Sequence, residues 1–167
     1  MARHDIRVCS PGKGDDVDCS FADGSWTNVT GHQSNLMPSP YSPYSASGAV
    51  QAYIQKGVPA SRIFMGVPFY SRGFSGTTGL GSTATGPSPD MSWQPGVADY
   101  KALPEPGAVE VWDDVAQAGY SYDATRKVLD TYDVPAAVKA KCEYVIQNGL
   151  GGLIIWESIV PSFLSIL

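Results

Sequence analysis

The chain has 167 residues, 43% of them hydrophobic and 16% charged, with a net charge of −5 and a pI near 4.8. That length supports one domain with a sizeable core, and the acidic balance argues against nucleic acid or an anionic membrane as partner. The 18 glycines and 13 prolines exclude a helical bundle, and no run is long enough to span a bilayer.

Residues 1–23 show no sustained periodicity, and their "SPGKGDDVD" is a polar, turn-rich stretch. "GKGDD" lacks the Lys-Ser or Lys-Thr pair of a phosphate loop, and the opening lacks the continuous apolar core of a secretory signal. Cys9, Cys19 and Cys142 make an odd count that leaves at least one thiol unpaired. His4, Cys9, Cys19 and His32 match no zinc-module spacing, so no metal and no cofactor is expected. "NVT" makes Asn28 a glycosylation acceptor if the protein is secreted.

From Gly24, "GSWTNVTGHQSNLMPSPYSPYS" reads as a long loop. "SASGAVQAYIQKG" then predicts a helix: Ser45 or Ser47 caps it, Val50, Tyr53 and Ile54 share a face, and Gly57 closes it in the left-handed region. "RIFMGVPFY", 62–70, predicts a buried strand that Pro68 terminates. Residues 73–97 read as a Gly- and Ser-rich surface loop, and "DYKAL", "VEVWDD", "GYSYD" and "KVLDTYD" as short antiparallel strands. "PAAVKAKCEYVIQNG" predicts a second helix with Val138, Cys142, Val145 and Ile146 on one face, Asp133 as cap, Pro135 in the first turn and Gly149 at the end. "GGLIIWES" predicts a strand buried on both faces, as in a parallel sheet, finishing at Trp156 and Glu157. Helix then buried strand, twice, is an α/β pattern, and ligands in such folds sit at the carboxyl ends of strands.

The stretches "GSWTNVTGHQSNL", "SPYSASGAVQAYIQKGVPASRI", "MGVPFYSRGFSG", "PGVADYKALPEPGAVEVWDDVAQAGYSYD" and "YDVPAAVKAKCEYVIQNGLGGLIIWE" resemble the later half of fungal chitinases of glycoside hydrolase family 18, over about residues 24–157. The resemblance implies the C-terminal part of a (β/α)8 TIM barrel with an inserted α+β domain. On it, 24–72 holds helix 6 and strand 7, 73–133 is the insertion, and 134–157 holds helix 7 and strand 8. Residues 1–23 and the tail 158–167 stand outside the likeness. A whole barrel takes about 250 residues, so an incomplete one is expected here.

The resemblance further implies chitin or chitooligosaccharides as partner, no metal, and secretion. Trp156 matches the tryptophan that floors the central sugar subsite, where an indole face suits the C–H side of a pyranose. Tyr70 and Arg72 of "FYSRGF" match the sugar-contacting Tyr and Arg of "FYGRGF", with Ser71 in place of glycine. Trp93 and Trp112 fall in the insertion, where lining the cleft or packing its core both remain open. The family's general acid ends a DGxDxDxE motif that these 167 residues do not contain. Family 18 works by substrate assistance, the acetamido oxygen attacking the sugar's own anomeric carbon while that glutamate protonates the leaving oxygen. Where relatives read something like "NLMAYDFAGSW", this chain reads "DVDCSFADGSW"; Phe21 would lack the tyrosine hydroxyl, and Asp23 serves as the aspartate only if the register slips. Glu157 is expected to be a rim or structural residue. Three outcomes are therefore expected to compete: a chitinase fragment inactive by itself, a non-catalytic chitin binder, and a fragment with no function.

Overall fold

The computed structural model describes residues 6–7, 27–89, 92 and 94–156. Phe21, Asp23, Cys9, Cys19, His4, Trp93, Glu157 and the tail 158–167 lie outside the described residues. Two sheets organise the rest.

The first is parallel. Strand β1 (Ile6–Arg7), β2 (Ile63–Pro68) and β8 (Gly152–Trp156) lie in the order β1-β2-β8, with Phe64 opposite Gly152 and Pro68 opposite Trp156. Ile6 pairs with Ile63, so a segment expected to be irregular contributes two residues of strand. Helix α1 (Ala46–Gln55) forms as its sequence predicts: Ser45 Oγ accepts from the Gly48 N–H at 3.1 Å, and Gly57 follows with φ +88°. Helix α2 (Pro135–Gln147) likewise starts with proline and is followed by Gly149 at φ +61°. Val50, Ile63, Met65, Val145 and Leu36 make the core between helices and sheet, with Tyr53, Ile54 and Leu153 packed against it. Burying such side chains contributes roughly 1.5–3 kcal/mol each.

Three expectations about this layer fail. Ile155 is 48% exposed and Leu153 and Ile154 only half-buried, so β8 is not buried on both faces. On α2 the buried positions are Ala137, Lys141 and Val145, while Ile146 is 79% exposed. The face is rotated because Lys141 is drawn inward by Asp133, its Nζ 2.5 Å from Asp133 Oδ2. Asp133 thus holds a lysine instead of capping the helix, whose N-cap is Val134.

The second sheet is antiparallel, in the order β4-β3-β7-β6-β5, built from β3 (Arg72–Ser75), β4 (Gly86–Pro87), β5 (Val109–Asp113), β6 (Ala118–Asp123) and β7 (Val128–Tyr132). Strand β4 and all of β3 but Arg72 fall within 73–97, read from sequence as surface loop; Phe74 there is fully buried. "DYKAL" is not a strand but a 3-10 turn at Tyr100–Ala102. The Tyr100 N–H donates to Phe69 O and its ring stacks on Phe69 at 5.6 Å, so packing against the β2 exit bends the chain. Both hairpins use one device: Asp113 Oδ1 accepts from Val115 and Ala116 N–H, and Asp123 Oδ1 from Thr125 and Arg126 N–H. Aspartate suits such turns because its short carboxylate satisfies turn amides locally. Tyr132, Val134 and Ala137 form a second small core, against which Tyr100, Leu103 and Trp112 pack.

The loop 27–45 ties the sheets together. It is irregular as expected, but Thr30, His32, Gln33, Asn35 and Ser42 are buried. Asn35 Nδ2 donates to Met37 O and Tyr44 O at 2.8 Å, and Gln33 N–H to Thr131 Oγ1 at 3.2 Å, replacing the ladder bonds that a loop lacks.

Candidate functional site

The carboxyl ends of β2 and β8 lie side by side through the Pro68–Trp156 pairing. Proline ends the ladder on β2, and the chain continues past it as Phe69 and Tyr70 before entering β3 at Arg72. This turn is held from several sides. Tyr70 bridges to Asp99, its carbonyl accepts from Gln33 Nε2 at 2.8 Å, and the Ser71 N–H donates to Ala98 O at 2.9 Å. Arg72 Cζ stands 5.4 Å from the centre of the Tyr70 ring, a cation–π contact.

The structure therefore brings Tyr70 and Arg72 into contact, and places the Trp156 backbone beside the strand end that leads to them; the Trp156 ring lies outside what is described. Trp112 is different. Its ring packs against the Tyr132, Val134 and Ala137 core, and its Nε1 donates to Asp114 Oδ1 at 2.7 Å. Asn28 is exposed, and the Thr30 hydroxyl of its sequon is buried, donating to Gly79 O at 2.8 Å.

Of three further polar groups, Asp113 and Asp130 were not legible as site residues, and His32 was legible only as a candidate zinc ligand. His32 is fully buried with Nε2 3.1 Å from Asp113 Oδ2; burial pushes its pKa down, against the opposing pull of Asp113. Burial also disfavours the Asp113 anion, but the Ala116 amide, His32 and the Val115 amide outweigh it and hold that carboxyl below its usual range. Asp130, 2% exposed, is pushed up to about 6 by burial and by the nearby Glu105 carboxylate, with Ser71 and Arg126 pulling the other way. A carboxylate inside the otherwise strand-like "VLDTY" is the one sequence signal that could have marked it. Among the described residues, no group of three or more His, Cys, Asp and Glu could hold a metal ion, and Cys142 is a free thiol.

Residues 18–158 match the glycosyl hydrolases family 18. This chain belongs to that family. It is 44% identical over 139 residues to Chitinase 1 of Aphanocladium album and 42% identical to Endochitinase 1 of Metarhizium robertsii, covering 81% of this chain and 33% and 32% of those proteins. The chain thus spans about a third of the length of these curated relatives. Among solved structures, it superposes on the Cycas revoluta family 18 chitinase, determined with (GlcNAc)3, at a TM-score of 0.73 and 26% identity, covering 83% of this chain and 40% of that one. The catalytic domain of chitinase B from Arthrobacter TAD20 gives 0.75 and 29%, over 83% and 33%. These four relatives are chitinases, and the mixed α/β architecture described above superposes on part of the two solved ones.

Proposed function

We propose that this family 18 chain supplies one wall of a chitooligosaccharide-binding groove, with Trp156 as the floor and Tyr70 and Arg72 as polar contacts to the sugar. On this reading β2 and β8 are neighbouring barrel strands and the antiparallel sheet is a domain inserted between them. The observation that supports it is the register pairing Pro68 with Trp156, which brings the Trp156 backbone beside the end of β2 that leads to Tyr70 and Arg72. The (GlcNAc)3 bound by the Cycas revoluta relative supports the choice of ligand. Trp112, committed to a core and to Asp114, is left out of the contacts.

The hydrolysis that the family performs needs a general acid, and the DGxDxDxE motif does not occur in these 167 residues. Losing a general acid costs about 10²–10⁴ in rate. These residues by themselves therefore bind sugar without turning it over. Chitin outside the cell is the matching setting, and the exposed Asn28 is the matching glycan acceptor.

Titration of the N-acetylglucosamine trimer against intrinsic tryptophan fluorescence tests this, alongside release of a fluorogenic aglycone. Saturable quenching that Trp156→Ala abolishes, with no aglycone release, is expected. No quenching in the unaltered chain, or release above the buffer rate, would sink the reading.

A further inference from the structure

Ser71 sits between Tyr70 and Arg72 and is fully buried. Its hydroxyl donates to Asp130 Oδ1 at 3.1 Å and accepts from the Ala98 N–H at 3.3 Å. Ala98 adjoins Asp99, the residue that bridges to Tyr70, so one hydroxyl ties the 70–72 turn to the 98–99 segment that packs on it.

Asp130 reaches Ser71 from β7, where it lies opposite Gly73. Glycine is required there. A Cβ on Gly73 would stand 2.4 Å from Asp130 Oδ1 and 1.9 Å from Ser88 Oγ, so the carboxylate occupies the space that a side chain would fill. Ser88 Oγ, also buried, has no hydrogen-bond partner there. The charged groups facing Asp130 are Glu105, which repels it, and Arg126, whose guanidinium is already bonded to Asp123 and Glu105. Arg72 neighbours Gly73 on β3 and so points to the opposite face of the sheet. Among the described residues Asp130 has no ion pair. A buried carboxylate without a counter-ion is costly, and its one side-chain hydrogen bond among the described residues is with the hydroxyl in the middle of the 70–72 turn.

We propose that Asp130 and Ser71 are positioning residues: a buried brace that sets the 70–72 turn and so holds Tyr70 and Arg72 in their mutual contact. The effect on sugar rests on the reading that those two side chains touch it; the brace itself does not. An ionised Asp130 makes a charge-assisted bond to the Ser71 hydroxyl, stronger than the bond to the protonated acid. The turn is therefore tightest above the titration of Asp130, which falls near 6.

Backbone amide spectra of the whole chain between pH 4.5 and 8 test the brace without any ligand. The Ser71 and Ala98 amides are expected to shift with one midpoint near 6, and the shift is expected to vanish in Asp130→Asn, which keeps an acceptor but cannot ionise. Ser71→Ala is expected to speed hydrogen exchange at Ala98. Amides that do not titrate, or that titrate equally in Asp130→Asn, would overturn the brace.

Calorimetry with the N-acetylglucosamine trimer then reads its consequence. The unaltered chain is expected to bind about five-fold more weakly at pH 5 than at pH 7.5, the size of one modest hydrogen bond, and Asp130→Asn is expected to lose that step. Identical pH profiles in the two proteins would overturn the proposal. Failure of the unaltered chain to bind at either pH would instead sink the sugar-binding reading, and the amide titration still decides the brace.

Discussion

Replacing Lys141 with methionine removes an ammonium that is fully buried and surrounded by oxygen. Its Nζ lies 2.5 Å from Asp133 Oδ2, 2.5 Å from Ser34 Oγ and 3.5 Å from Gly66 O, so it joins α2, the end of β7, the 27–45 loop and β2. Methionine fills the space of the lysine stem but leaves Asp133, 1% exposed, without its cation. Breaking one side of a buried pair costs about 3–5 kcal/mol, a large fraction of an ordinary domain's stability. Burial already pushes the Asp133 carboxyl up, against the pull of Lys141, and with the lysine gone it takes a proton more readily still. The loss therefore shrinks in acid, where that proton costs little. Asp133→Asn combined with Lys141→Met removes both charges, so the double variant should recover about 1–3 kcal/mol relative to additivity. Urea unfolding of the four proteins at pH 7.5 and pH 4.5 measures this cycle. A Lys141→Met loss under about 1 kcal/mol, or an additive cycle at both pH values, would refute the view that the pair is held by charge compensation and not by packing.

Asp130 predicts a second pH dependence. Its folded pKa, about 6, is raised above the unfolded value, so its contribution to stability is fully present below about pH 4 and is lost as pH rises through 6. The shift corresponds to about 3 kcal/mol, and the stability difference between Asp130→Asn and the unaltered chain should change by up to that amount from pH 3.5 to pH 7.5. A constant difference across that range would contradict the burial argument. Gly119→Ala places a Cβ 2.4 Å from Val134 Cγ1, inside the small core beside α2, and should cost about 1–3 kcal/mol by overpacking in the same urea assay. A neutral effect would show that Val134 gives way freely.

What could be read from the sequence was whatever is encoded locally. Ser45 and Gly57 mark the ends of α1, Pro135 and Gly149 those of α2, and the apolar runs at 63–67 and 153–155 mark β2 and β8. Hydrophobic periodicity failed where a long-range partner decides the matter. Lys141 is polar by type and buried by circumstance, because Asp133 and Ser34 wait for it inside. Thr30, His32 and Gln33 look like loop residues, and their burial depends on Gly79, Asp113 and Tyr70, each far along the chain. Strand β3 was masked by its glycine, which is there to admit Asp130. The proposed site residues Tyr70, Arg72 and Trp156 came from the family likeness, and no periodicity in the chain points to them. The Ser71–Asp130 brace could not have been found that way, since it joins the turn before β3 to β7, a pairing only the fold defines.

The parallel pairing of β2 with β8 also has a bearing on how the chain assembles. The two strands touch, yet the whole antiparallel sheet and α2 lie between them in sequence. The β5–β6 and β6–β7 hairpins close over turns of a few residues, so they pay little loop entropy and should form early. Their formation draws the ends of the intervening segment together and shortens the loop that β2–β8 pairing must close. Pulse-labelled exchange during refolding should then protect β6 and β7 amides before those of β2, and simultaneous protection would contradict this order. Until β8 arrives, Met65 and Val67 have no strand on that side, so the β2 edge is open to self-association during assembly.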